Sequence, residues 1–68
     1  MNEIKIKTEI IKLDSFLKWA GLVGSGAEGK LLINDGKVKL NGEIETQRGK
    51  KLKAGDVIEF LGEKYNII

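Results

Sequence analysis

Between Ser15 and Lys53 the chain carries Lys18, Lys30, Lys37, Lys39, Arg48, Lys50, Lys51 and Lys53 against Glu28, Asp35, Glu43 and Glu45. Ammonium and guanidinium groups donate hydrogen bonds, accept none and stay charged near neutral pH, so what they can do together is hold an anion. The middle of the chain is thus +4 (8 − 4), the two ends sum to −2, and the whole is +2. The densest piece is Arg48-Gly49-Lys50-Lys51-Leu52-Lys53. It either reaches around a phosphate backbone or serves as a solvated loop. Lys18 and Lys30 fall away from the apolar faces of two helices, and Lys37 and Lys39 share the outward side of a strand. Ser25-Gly26-Ala27-Glu28 adds a second anion-holding feature. A helix starting there presents free amides and the positive end of its dipole, and Gly26 lets an oxygen approach the backbone. The plainer reading of the same residues is a capping box.

The 68 residues contain no histidine and no cysteine. That removes the commonest general base, the commonest metal ligand and any thiolate site. Ser25 has no base to activate it. No enzyme activity, cofactor, metal or small-molecule substrate is expected. The chain ends in Asn66-Ile67-Ile68, unlike small sulfur carriers, which end in Gly-Gly. No apolar run approaches the roughly 20 residues of a membrane span. Met1-Asn2-Glu3-Ile4-Lys5 lacks the apolar stretch of a signal peptide, so a cytoplasmic protein is expected.

These groups need a scaffold, and the pattern supplies one domain over residues 1–68 with no linker. Glu3 to Lys7 alternates as a strand with Ile4 and Ile6 inward. Ile10-Ile11 is either a short extended piece or a connection. Asp14 is expected to cap a first helix of about two turns, with Leu13, Phe16, Leu17 and Ala20 on its buried face and Gly21 ending it. Ser25 opens the second helix, with Ala27 and Leu31, and Leu32 beside them, expected inward. Gly29 within it suggests close approach to the first helix or to a ligand, and Asp35-Gly36 ends it. Lys37–Leu40 and Glu43–Glu45 form a hairpin about Asn41-Gly42, the strongest two-residue turn signal. A polar loop is expected from Thr46 to Lys53. Ala54-Gly55-Asp56 turns into a strand over Val57–Leu61, Gly62-Glu63 turns again, and Lys64–Ile68 closes the sheet. Phe60 and Tyr65 read as sheet core. Trp19 either stacks on an unpaired base or holds the helix pair together. The fold class is α+β: two short helices on a small, mainly antiparallel sheet of four to five strands.

The run Lys12-Leu13-Asp14, Ala20-Gly21, Ser25, Lys30, Ile33, Gly36-Lys37-Val38-Lys39-Leu40-Asn41-Gly42 and Gly55-Asp56-Val57-Ile58 resembles the RNA-binding domain first described in ribosomal protein S-four. The resemblance covers residues 11–60. The stretches Phe16–Val23 and Arg48–Leu52 look most like the small stand-alone bacterial members, the YaaA/YbcJ type. The resemblance implies an L-shaped αL motif, two helices and the following hairpin, that binds structured RNA. By position, it implies RNA contacts at Lys12, Ser25, Lys30 and Asn41, although Asn41 has a sufficient role as a turn residue. Many relatives carry arginine where Gly26 stands, so one phosphate contact is missing. Lysine in place of arginine gives a point charge, which disfavours base-specific readout there. The resulting expectation is a monomeric RNA-binding protein that recognises ribosomal RNA or a ribosome assembly intermediate through phosphate and shape. The competing expectation is a protein-interaction adaptor that uses an exposed sheet edge at Ile67-Ile68.

Overall fold

The computed structural model describes residues 2–68, so Met1 of the expected single unit lies outside it. In chain order the elements are β1 (Asn2–Ile4), β2 (Ile11–Lys12), α1 (Leu13–Trp19), α2 (Gly26–Asn34), β3 (Val38–Leu40), β4 (Glu43–Ile44), β5 (Lys51–Leu52), β6 (Val57–Phe60) and β7 (Glu63–Ile67). Five strands form a sheet in the order β1-β7-β6-β3-β4, and β2 pairs separately with β5. The β1–β7 pair is parallel and the other pairs are antiparallel. This is the expected α+β class, with two helices on one face of a mainly antiparallel sheet.

The core follows from the two periodicities. Val38 pairs with Phe60 and Leu40 with Ile58 in one register, so these side chains share the sheet face that the helices cover. Leu13, Phe16 and Leu17 from α1 and Ile33 from α2 close over them, together with Leu52, Ile67, Val23 and Ile6. Among the described residues no polar or charged side chain is buried. Every charge therefore remains available at the surface.

The hairpin turn is as expected. Asn41 and Gly42 both take positive φ, 51° and 89°, matching the twist of the flanking strands. The β6–β7 connection turns one residue earlier than expected. Leu61 (φ 50°) and Gly62 (φ 84°) form the turn, because Phe60 pairs with Glu63. Ile67-Ile68 is not an edge: β7 lies between β1 and β6, and the Ile68 amide donates to the Ile4 carbonyl at 3.0 Å. The edges of this sheet are β1 and β4, three and two residues long.

The inward face of α2 also differs. Ala27 and Leu31 are exposed, whereas Gly29 and Ile33 are buried and Leu32 is half-buried. Gly29 lies against α1 and the connecting segment. A Cβ placed on it would sit 3.5 Å from Val23 Cγ2, 3.8 Å from Leu17 Cδ1 and 3.9 Å from the Asp14 carbonyl oxygen. Those are ordinary contacts, so a methyl group fits while the helix gains propensity. Gly29→Ala is expected to raise stability by about 0.5–1 kcal/mol, read as a higher urea midpoint at unchanged slope. A lower midpoint would show that the helix contact tolerates no added atom.

Candidate nucleic-acid interface

The first amides of α1 are not capped by Asp14. The N-cap position is Lys12, whose side chain makes no capping bond, and Asp14 Oδ1 instead accepts from the Ser15 amide at 2.8 Å. The partners come from far along the chain. The Leu13 amide donates to the Lys50 carbonyl at 2.9 Å and the Asp14 amide to the Arg48 carbonyl at 3.0 Å. The expected polar loop is thus a strap stapled across the start of α1. It contains β5, whose Leu52 is fully buried.

The strap fixes where the basic residues sit along the chain's fold. Lys12 stands directly opposite Lys51 in the β2–β5 register, with Arg48 and Lys50 beside them at the α1 start. All four residues are exposed. Like charges directly opposite one another on an antiparallel pair are destabilising. Among the described residues the ion pairs join Lys39 to Glu59 at 3.8 Å and Lys53 to Asp56 at 4.0 Å. Neither neutralises Lys12, Arg48, Lys50 or Lys51. Lys50, Lys51 and Lys53 also line an open polar groove of about 480 Å³ whose other lining includes Glu43 and Glu45 of the hairpin.

The start of α2 is open. Ser25, Gly26 and Ala27 are exposed, and a Cβ on Gly26 would meet nothing within 4 Å. Ser25 Oγ accepts from the Glu28 amide at 3.2 Å, one half of the expected box. The other half is displaced by one residue, since Glu28 Oε1 accepts from the Gly24 amide at 2.7 Å. Among the described residues no acceptor meets the amides of Gly26 and Ala27. The Glu28 carboxylate partly offsets the positive helix end there. Lys30 is exposed one turn further on.

The remaining candidates separate. Lys18 is exposed on α1 beside Ser15 and Trp19. Lys37 is exposed between α2 and β3, its amide donating to the Leu32 carbonyl at 3.1 Å. Lys39 lies apart from the helix lysines. It alternates with inward Val38 and Leu40, so it points to the sheet face away from the helices, opposite Glu59. Asn41 is committed within the chain. Its Nδ2 donates to Asp56 Oδ1 at 3.2 Å, and its Oδ1 accepts from the Val57 amide at 2.9 Å. Asp56 Oδ2 also accepts from the Lys53 amide at 2.9 Å, so Asn41 and Asp56 lock the hairpin to the end of the strap. Sequence reasoning missed Leu52 and the backbone role of Arg48 and Lys50. A lone leucine inside a basic run was the available signal.

Comparison with known proteins bears on the fold and the family. The S4 domain family model matches residues 4–68. RlbA of Bacillus subtilis (strain 168), named a probable ribosome maturation protein, is 43% identical over 61 residues, covering 90% of this chain and 86% of RlbA. YbcJ of Escherichia coli is 34% identical over 58 residues, covering 85% of this chain and 83% of YbcJ. The solution structure of YbcJ, described as revealing an αL motif involved in RNA binding, superposes with a TM-score of 0.74 at 32% identity over the whole of this chain and 87% of that one. The 30S ribosomal protein S4e of Thermoplasma acidophilum shares the fold, with a TM-score of 0.67 at 23% identity over 88% of this chain and 32% of that one. With its helix corner, its hairpin and a family match over nearly its whole length, the chain belongs to the S4 domain family.

Proposed function

We propose that this chain binds structured RNA, ribosomal RNA or a ribosome assembly intermediate, as a cytoplasmic monomer and without a catalytic step. The reading rests on one observation above the others: Lys12 and Lys51 face each other unneutralised, and Arg48 and Lys50 are stapled beside them. A domain this small tolerates such repulsion where an anionic backbone relieves it. Phosphates of a folded RNA lie against that cluster, and the open start of α2 with Lys30 takes a further strand. Lys18 and Lys37 extend the footprint, while Lys39 and Asn41 serve the fold. The ribosome maturation role in RlbA's name and the RNA binding described for YbcJ support this reading. Recognition is by charge and shape, since lysine ammonium groups carry little base information.

Salt dependence tests it. About four neutralised phosphates give a log–log slope of roughly −3 to −4 on the duplex scale. A fourfold rise in salt then lowers affinity for a ribosomal RNA fragment by about a hundredfold. A slope near zero would overturn phosphate-led binding. Crosslinking in cells with sequencing of bound RNA tests the ribosomal part, which fails if ribosomal RNA is not enriched over a charge-matched control.

A further inference from the structure

A second surface feature lies at the end of α1, where an apolar ring and a lysine meet. Trp19 closes α1 with 48% of its surface exposed, although it is the largest apolar side chain of the domain. Its ring is held in place, because Nε1 donates to the Lys5 carbonyl at 2.8 Å. That bond uses the only donor of the indole, so the exposed part has only π surface to offer. Trp19, Ile11, Ser15 and Lys18 line a shallow depression of about 440 Å³, within the usual range of small-ligand sites.

The charges around it select the occupant. Lys7 Nζ stands 5.6 Å from the centroid of the indole ring, and Lys18 belongs to the lining. Ile11 precedes Lys12, which pairs with Lys51, so the depression and the cationic cluster share the β2–β5 pair. The nearest carboxylate on the same helix, Asp14, is turned to the Ser15 amide. A flat apolar group carried on a negative backbone fits these surroundings. An apolar face of a protein would leave the lysines without counter-charge.

We infer that Trp19, with Ile11 and Lys18 beside it, receives one unstacked nucleobase of the bound RNA. The inference rests on the RNA-binding reading and gives that site a preference for unpaired nucleotides. Lys18 neutralises the phosphate of the flipped residue, while Ile11 and the indole hold the base by stacking and apolar contact, which tolerates any base.

The chain has a single tryptophan, so its emission reports this position alone. Three RNA hairpins serve as probes: one with a single unpaired adenosine in its stem, one with an abasic residue at that place, and one fully paired. Adenosine-bulged RNA is expected to quench the emission and to bind more tightly than the abasic one. Trp19→Leu should lower affinity for the bulged hairpin by roughly 5- to 150-fold, the range of one stacked base, and leave the paired hairpin unchanged. Trp19→Phe, which keeps an aromatic face, should retain most of the preference for the bulge. A loss of paired binding in both variants would mean a structural role and overturn the inference. Equal binding of bulged and abasic hairpins with unchanged emission overturns it while RNA binding stands, and leaves the depression to a protein partner. Failure of all three hairpins to bind overturns the RNA reading and this inference with it.

Discussion

Replacing Lys50 and Lys51 together with glutamate is expected to weaken RNA binding by about two orders of magnitude. Each lysine that meets a phosphate releases about 0.9 of a counterion on the duplex scale, so losing two contacts at ~0.1 M salt lowers affinity roughly 60-fold before the new repulsion is counted. The fold should survive the exchange. Both side chains are exposed, and the strap holds α1 through the Lys50 carbonyl, which the substitution keeps. Glu43→Lys is the control, because Glu43 lines the same groove and its charge changes by two, as at each of the two lysines. It should leave affinity within about threefold or raise it, since it adds a cation near the phosphates. Filter binding across a salt series reads both affinity and slope, and the double variant should also flatten the slope by roughly two units. Equal, small effects of the two changes would remove the strap from the interface.

Leu52→Ala is expected to cost about 2–5 kcal/mol, because a fully buried leucine leaves both lost transfer energy and a cavity. A 68-residue domain has roughly 3–10 kcal/mol in total, so much of the population unfolds. Urea denaturation measures the loss. Leu52 is also the anchor that seats the strap, pairing with Ile11 across β2–β5. RNA affinity should therefore fall in step with stability. Lys51→Ala, one residue away but exposed, should move the urea midpoint by less than about 0.5 kcal/mol. If Leu52→Ala left the midpoint in place, β5 would not be part of the core.

What could be read from the chain was what neighbouring residues decide. Gly21, Gly36 and Asn41-Gly42 announced their turns because positive φ is a local demand. Ser25 announced its helix for the same reason, through a bond three residues away. The inward set of α1 was legible because its apolar residues repeat at helical spacing. On α2 the buried position is a glycine, which carries no hydropathy signal, so exposed Leu31 took its place in the expectation. The strap was illegible for another reason: β5 has two residues, and its partner β2 lies about forty positions upstream. No window of sequence contains both. The same distance hid the cap of α1, which is tertiary, and the cover over β7, which comes from the opposite end of the chain. At the candidate interface the lysine-rich segment was evident, but its pairing with Lys12 and the departure of Lys39 were set by register alone.

The parallel pairing of Asn2–Ile4 with Tyr65–Ile67 also fixes an order of events during synthesis. β1 has its partner far downstream, so it stays undocked until Tyr65–Ile67 have been made. The contacts between α1 and α2 lie closer in sequence and close their loops at lower entropic expense, while the cap of α1 waits for the strap. The elements between the two strands thus emerge before the pairing that seals the sheet.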